Sequence, residues 1–223
     1  MLRYLVLSTF IIVVFGSCNN SSPLFEKISS GHSGIHFNNL ITETDSINVM
    51  DFENVYNGGG VGFGDFNKDG LQDIYFAGNQ VSNKLYLNKG DFEFEDITES
   101  AGVTGNGIWA RGVSVIDINN DGWEDVYVCA SIKDKPADRQ NLLYVNQGLD
   151  QSKKLHFKEM AAEYGLNDDS HSTMATFFDY DNDGDLDMFM VNHGDMFFNP
   201  YFNTEKLRAT RNVNFGNRLY RND

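Results

Sequence analysis

The stretch DYDNDGDLD, residues 179–187, places five aspartates within nine residues and interleaves them with one Asn and one Gly. Like charges at that density repel one another, and a solvated face has no use for such spacing. The same template occurs twice more, as DFNKDGLQD at 65–73 and DINNDGWED at 117–125. Each copy reads Asp, any residue, Asn or Asp, any residue, Asp, Gly, two residues of any kind, Asp.

Working outward from these loops, the flanks repeat as well. The runs GGGVGFG, RGVSVI and STMATFF precede them, and DIYFAGN, DVYVCAS and DMFMVNH follow. A second phrase comes next: NKLYLNKG from 83, NLLYVNQG from 141 and NRLYRND from 217. A third closes two of the units, FEDITESAGV from 94 and FKEMAAEYGL from 157. One unit therefore reads strand, acidic loop, strand, turn, Leu-Tyr strand, turn, Phe-led strand, over a period of roughly 50 to 60 residues. A lone four-stranded sheet cannot bury both faces, so it must stack on copies of itself. The expected fold is all-β: a β-propeller of four-stranded blades, with the acidic loop between the first and second strand of each. Helix is confined to single turns, around Glu99–Ala101 and in AAEYG.

The boundaries follow from the phrases. Repeat 1 spans 59–103, repeat 2 spans 104–166 and repeat 3 spans 167–223, the last stopping just after its Leu-Tyr phrase. FEKISSGHSGI, at 25–35, matches the closing phrase without any acidic loop before it, so 25–58 is expected to be an orphan closing strand and its lead-in. About three blades fall short of the usual 4 to 8 of a ring. The sequence thus predicts an incomplete ring and a chain that belongs to something longer.

The acidic loop has the donor set of a calcium site. Calcium takes six to eight oxygens, and a loop with side-chain oxygens at positions 1, 3, 5 and 9 and a carbonyl at position 7 can curl around one ion. Gly at position 6 permits the sharp turn. The candidate ligands are Asp65, Asn67, Asp69, the Leu71 carbonyl and Asp73; then Asp117, Asn119, Asp121, the Trp123 carbonyl and Asp125; then Asp179, Asp181, Asp183, the Asp185 carbonyl and Asp187. About three Ca²⁺ ions are expected. Ten of the 32 acids are side-chain ligands in this reading. An EF-hand would need Glu at position 12 and flanking helices; position 12 is Phe76, Val128 and Met190, with β-rich flanks. Magnesium, which keeps its waters and demands octahedral geometry, suits the loop less well.

The formal charge of −15 excludes nucleic acid as a natural partner for the body of the chain. With 41% hydrophobic and 13% aromatic residues, the chain can build a core. Residues 1–17 differ: Arg3, then a 12-residue apolar run from Tyr4 to Phe15, then Gly16-Ser17 before Cys18. That run is too short for the roughly 20 residues of a membrane span and has signal-peptide proportions. Cys18 after two small residues resembles a bacterial lipoprotein signal, in which this Cys is lipidated; the alternative is an ordinary cleaved signal with an incidental Cys. Residues 18–24 would be a short tether. Cys129, in the apolar run VYVCA, reads as a buried small hydrophobe.

The combination YNGGGVGFGDFNKDGLQDIYFAGN, NKLYLNKG and FEDITESAGV resembles the FG-GAP/VCBS repeats of integrin-α-type propellers. It also resembles the bacterial relatives of cartilage acidic protein, which often carry a C-terminal ASPIC/UnbV domain. The resemblance covers about residues 25–223. It implies a non-enzymatic, calcium-stabilised binding or adhesion scaffold, exported and lipid-anchored in the bacterial cell envelope at the outer membrane. Its partner would be a protein or glycan at the cell surface, and the lipid would be the only membrane contact. The competing reading is a propeller domain of a larger exported enzyme, carbohydrate-active or similar. The five histidines (32, 36, 156, 171 and 193) form no recognisable hydrolase pattern, although His171 and His193 flank the third loop and could meet.

One insertion breaks the repeat. HGDMFFNPYFNTEKLRATRNVNFG, 193–216, replaces a connection of about five residues in repeat 1. Its aromatic and basic content, centred on Phe198, Tyr201 and Arg208, reads either as a partner-binding loop or as a self-packed cover over the blade edge.

Overall fold

The computed structural model describes residues 23–50, 54–193 and 214–222. Among these residues eleven strands form three separate antiparallel sheets, each a meander of sequence neighbours. The first holds β1 (Val61–Gly64), β2 (Asp73–Phe76), β3 (Lys84–Asn88) and β4 (Phe94–Asp96) in that order. The second holds β5 (Ala110–Ile116), β6 (Asp125–Ala130), β7 (Leu142–Leu149) and β8 (Leu155–Glu159). The third holds β9 (Ser172–Phe178), β10 (Asp187–Asn192) and β11 (Arg218–Tyr220). The acidic loops lie between the first and second strands of each sheet, and the three sheets do not close on one another.

The sheets stack through their first strands: β1 lies against β5, and β5 against β9. Every residue of β6 is buried, because the central sheet is covered on both faces. Its side chains alternate accordingly. Val126, Val128 and Ala130 join Tyr75, Leu85, Leu87 and Val103 in the core between the first two sheets. Tyr127 and Cys129 join Ala175, Met188 and Met190 between the second and third. Period-two alternation between two apolar environments explains why VYVCA reads as a continuous hydrophobic run. Burial raises the Cys129 thiol pKa and leaves it neutral.

The repeated phrases are hydrogen-bonding instructions. Asn83 opens the Leu-Tyr phrase, accepts from the Gly78 N–H at 2.8 Å and donates to the Tyr75 hydroxyl at 2.8 Å. Asn141 does the same for Ala130 N–H and Tyr127. The two hydroxyls then donate to Val103 and Leu166 carbonyls at 3.1 and 2.8 Å, tying each closing phrase down. In the third sheet Asn217 accepts from Asn192 N–H at 3.1 Å, but Phe189 stands where the other sheets have Tyr.

The expected closing strand within 25–35 does not form. A strand needs a ladder partner for its backbone groups, and residues 25–28 have none among the described residues. What survives is the turn that ends the phrase, helix α1 (Ser30–Ser33), with Gly34 at φ 71° as its left-handed cap. It matches helix α2 (Thr98–Ala101), which Gly102 caps at φ 77°. The placement also matches. A Cβ on Gly34 would stand 2.7 Å from the Phe94 carbonyl, and one on Gly102 would stand 3.7 Å from that of Phe157. Phe94 and Phe157 begin equivalent phrases, so α1 sits on the first sheet as α2 sits on the second. The lead-in then laces over that sheet. Phe37 stacks on Phe76 at 4.9 Å, Asn39 bonds Asn79, and Thr42 N–H donates to the Gln80 side chain.

Candidate metal centres

The three loops share one backbone path. Position 4 is left-handed in each, at Lys68 (φ 59°), Asn120 (φ 56°) and Asn182 (φ 62°), and so is the Gly at position 6. Position 1 then folds over the turn. Asp65 accepts from the N–H groups of Asp69 and Gly70 at 3.0 and 2.8 Å, and Asp117 from those of Asp121 and Gly122 at 3.0 and 2.7 Å. Asp179 accepts from Asp183 and Gly184 at 3.2 and 3.1 Å. Position 5 accepts from position 7 in each loop, at Asp69, Asp121 and Asp183. These Asx-type bonds fix the carboxylates at positions 1 and 5 against the turn.

The aspartate at position 9 does more than offer an oxygen. Asp73, Asp125 and Asp187 are buried at 0, 0 and 2% exposure. Each accepts two backbone N–H groups. Asp73 takes Phe66 and Asn88 at 3.0 and 2.8 Å, Asp125 takes Ile118 and Asn146 at 2.9 and 2.7 Å, and Asp187 takes Tyr180 and Asn222 at 2.9 Å each. This residue therefore bolts the loop to the end of the Leu-Tyr strand. Sequence reasoning assigned it only a ligand role, although the Asn that closes each Leu-Tyr phrase (88, 146 and 222) was the signal for its partner. Burial pushes Asp73 and Asp125 up to about 6, against the lowering effect of those backbone bonds; the loop carboxylates at positions 5 and 1 push the same way. Among the described residues no basic side chain forms an ion pair with either aspartate.

The third loop carries one carboxylate more. Position 3 is Asp181, where the other loops have Asn67 and Asn119, each donating to the position-5 Asp at 2.9 Å. Oxygens of Asp179, Asp181 and Asp187 come within 4.8 Å of one another. Loss of hydration, and then the neighbouring Asp183, raise the Asp181 pKa, while Arg221 at 3.3 Å works against them. An all-oxygen set with clustered carboxylates fits a hard cation. Positions 1, 3, 5 and 9 would hold Ca²⁺ by side chains and Leu71, Trp123 and Asp185 by carbonyls, and the ion would supply the missing positive charge.

Loops 1 and 2 are also joined to each other. Glu124 accepts from the Asp65 N–H at 2.5 Å, Lys68 lies 4.1 Å over the Trp123 ring, and Asn146 donates to the Phe66 carbonyl. Loop 3 has Leu186 in the place of Glu124, and this link is missing there. Single-sequence reading gave no sign of it, because position 8 is variable in the template.

His171 and His193 meet through backbone, His193 N–H donating to the His171 carbonyl at 2.8 Å. Their rings are engaged elsewhere, His171 stacked on Phe215 at 5.3 Å and His193 beside the Asn54 amide. Cys18 and the loop residues Phe198, Tyr201 and Arg208 lie outside the described residues.

Comparison with known proteins agrees with the repeat. Residues 65–128, from the first aspartate of loop 1 through β6, match the family model of the FG-GAP-like repeat. Over 141 residues the chain is 29% identical to cartilage acidic protein 1 of Xenopus tropicalis, a match covering 62% of this chain and 20% of that protein. The chain thus spans about a fifth of the relative's length. With the repeated loops, the shared phrases and the stacked antiparallel sheets, these matches show an FG-GAP-like repeat at 65–128 and support the likeness of the chain to FG-GAP-repeat proteins.

Proposed function

We propose that this chain is a calcium-stabilised, non-enzymatic binding scaffold of the bacterial cell envelope, held to the outer membrane by lipid on Cys18 and presenting its blades to a surface protein or glycan. The observation that carries the reading is the triple recurrence of one loop path, with a buried aspartate bolting each copy to its sheet and with three carboxylates of the third copy brought together. A site built three times in register at the same joint is a device for holding the stack in shape.

The test is a direct count. Equilibrium dialysis with ⁴⁵Ca²⁺ should find three sites per chain, with Kd of about 10⁻⁴–10⁻³ M as in extracellular calcium modules. Equimolar Mg²⁺ should not compete. Asp183→Ala should remove one site and Asp185→Ala none, since Asp185 is assigned its carbonyl only. Absence of saturable calcium uptake would reduce the loops to Asp-rich turns.

The anchor is tested separately. Expressed in a Gram-negative host, the chain should incorporate labelled palmitate and fractionate with membranes, and Cys18→Ser should abolish both. A free periplasmic product with unmodified Cys18 would overturn the lipoprotein reading.

A further inference from the structure

Counting back six residues from the first loop aspartate of each unit gives Gly59, Arg111 and Thr173. These equivalent positions sit side by side at the opposite end of the inner strands from the acidic loops, and they line one cleft of about 270 Å³ together with Asn57, Gly58 and His193. The cleft exists because the first unit is glycine here. A Cβ on Gly59 would stand 1.9 Å from the Ala77 carbonyl, and one on Gly60 would stand 2.6 Å from that of Arg111. Gly59 is closed to a side chain by its own sheet and Gly60 by the second, and the space beside Arg111 stays open.

Arg111 is an anomaly in that setting. Its guanidinium carries five N–H groups, yet among the described residues only Nη2 has a partner, the Asn54 carbonyl at 3.2 Å. Its Nε is buried with no acceptor, and no carboxylate of the described residues pairs with it. In a chain with 32 acids and 17 basic residues, counter-ions are plentiful. Loss of water lowers its pKa with nothing to offset it. A part-desolvated cation left unpaired is costly, and here the surrounding framework holds it in place. Asn54 accepts from Arg111 through its carbonyl, accepts from Asn57 at 2.7 Å through its side chain, and contacts His193 through its amide. Asn57, exposed at the mouth, keeps a second amide hydrogen for a ligand.

We propose that this cleft is a binding site for a carboxylate borne by an exogenous ligand, with Arg111 as its anchor and Asn57 as a second donor. A planar monoanion matches the edge of one guanidinium, whereas a phosphate dianion would need more cations than the cleft offers. The acidic loops do not forbid it. Six extended residues separate Arg111 from Asp117, roughly 20 Å at about 3.3 Å per residue, which is beyond the screening length of about 8 Å at physiological salt. Thr173, whose hydroxyl donates to the Val191 carbonyl at 2.9 Å, serves as a wall. The site goes beyond the calcium scaffold and lies at the other end of the strands, so the two fail independently.

The carboxylate could belong to an acidic peptide or to a uronic acid. The experiment titrates the full-length chain in saturating calcium with N-acetyl-aspartate N-methylamide and with methyl glucuronide, using the asparagine analogue and methyl glucoside as neutral controls. At least one carboxylate probe should bind saturably, about tenfold or more tighter than its control, and the stronger arm names the source. Arg111→Gln should weaken that binding about tenfold, Arg111→Lys less, with calcium stoichiometry unchanged. Because Arg111 also holds Asn54, Asn57→Asp is the second variant: it replaces the exposed donor at the mouth by a carboxylate, giving up the bond to Asn54, leaves Arg111 in place, and should weaken binding by a comparable factor at low salt. Equal binding of charged and neutral probes, or wild-type affinity in both Arg111→Gln and Asn57→Asp, would overturn the assignment while leaving the calcium count untouched.

Discussion

Withdrawing calcium with EGTA should lower the melting temperature by about 10 °C or more relative to 10 mM Ca²⁺, and calcium should restore it while equimolar magnesium does not. Ligand that binds only the folded form stabilises by RT ln(1 + [L]/Kd), about 2.7 kcal/mol per site at a hundredfold excess over Kd. At Kd of about 10⁻⁴–10⁻³ M, 10 mM calcium supplies ten- to hundredfold excess at each of three loops. For a chain of this size each kcal/mol moves the midpoint by about 2–4 °C. The structure adds a reason for the large response. Every loop joins two strands through a buried aspartate, and in loops 1 and 2 burial, with the neighbouring loop carboxylates, raises the pKa of that aspartate. Melting curves that superimpose with EGTA and with calcium would remove the metal from the account of stability.

The second large effect needs no metal. Asp125→Ala, measured by denaturant unfolding in EGTA, should cost about 2–4 kcal/mol, because it strips the part-buried Ile118 N–H and the buried Asn146 N–H of the carboxylate they share. Asp125→Asn keeps one acceptor oxygen and should fall about halfway. Asp185→Ala, at an exposed position that contributes only backbone, should stay within about 0.5 kcal/mol of wild type. A cost below about 1 kcal/mol for Asp125→Ala would mean that position 9 is a ligand and nothing else.

These expectations show where the sequence was readable. The strand order, the loop at the first joint and the burial of Cys129 came from apolar runs bounded by turn residues, where local chemistry and fold agree. The β6 run VYVCA gave a strand but could not show that its two faces enter different cores. Residues 25–35 were misjudged as a strand because the match to the closing phrase was real, but a strand also needs a neighbour, which is no property of the segment itself. The bolt at Asp125, the link between Glu124 and Asp65, and the bare guanidinium of Arg111 are contacts between residues 21, 59 and 57 positions apart. Contacts at that range appear only when the sheets are stacked. In the case of Arg111, the clue in the sequence was that its counterparts are Gly59 and Thr173, a contrast legible only after the repeats have been aligned.

The match between α1 on the first sheet and α2 on the second bears on how such genes change length. The helical turn that ends a closing phrase follows its own sheet in chain order and rests on the next, as Gly102 against Phe157 and Gly34 against Phe94 show. The joint between blades is therefore carried inside the coding period and not at its edge. A duplication or deletion that begins at any codon and ends one full period later regenerates every joint intact, whereas an event that follows the edges of a sheet leaves a closing phrase with nothing to rest on. Recombination in this architecture is tolerant of where it starts and strict about how far it runs.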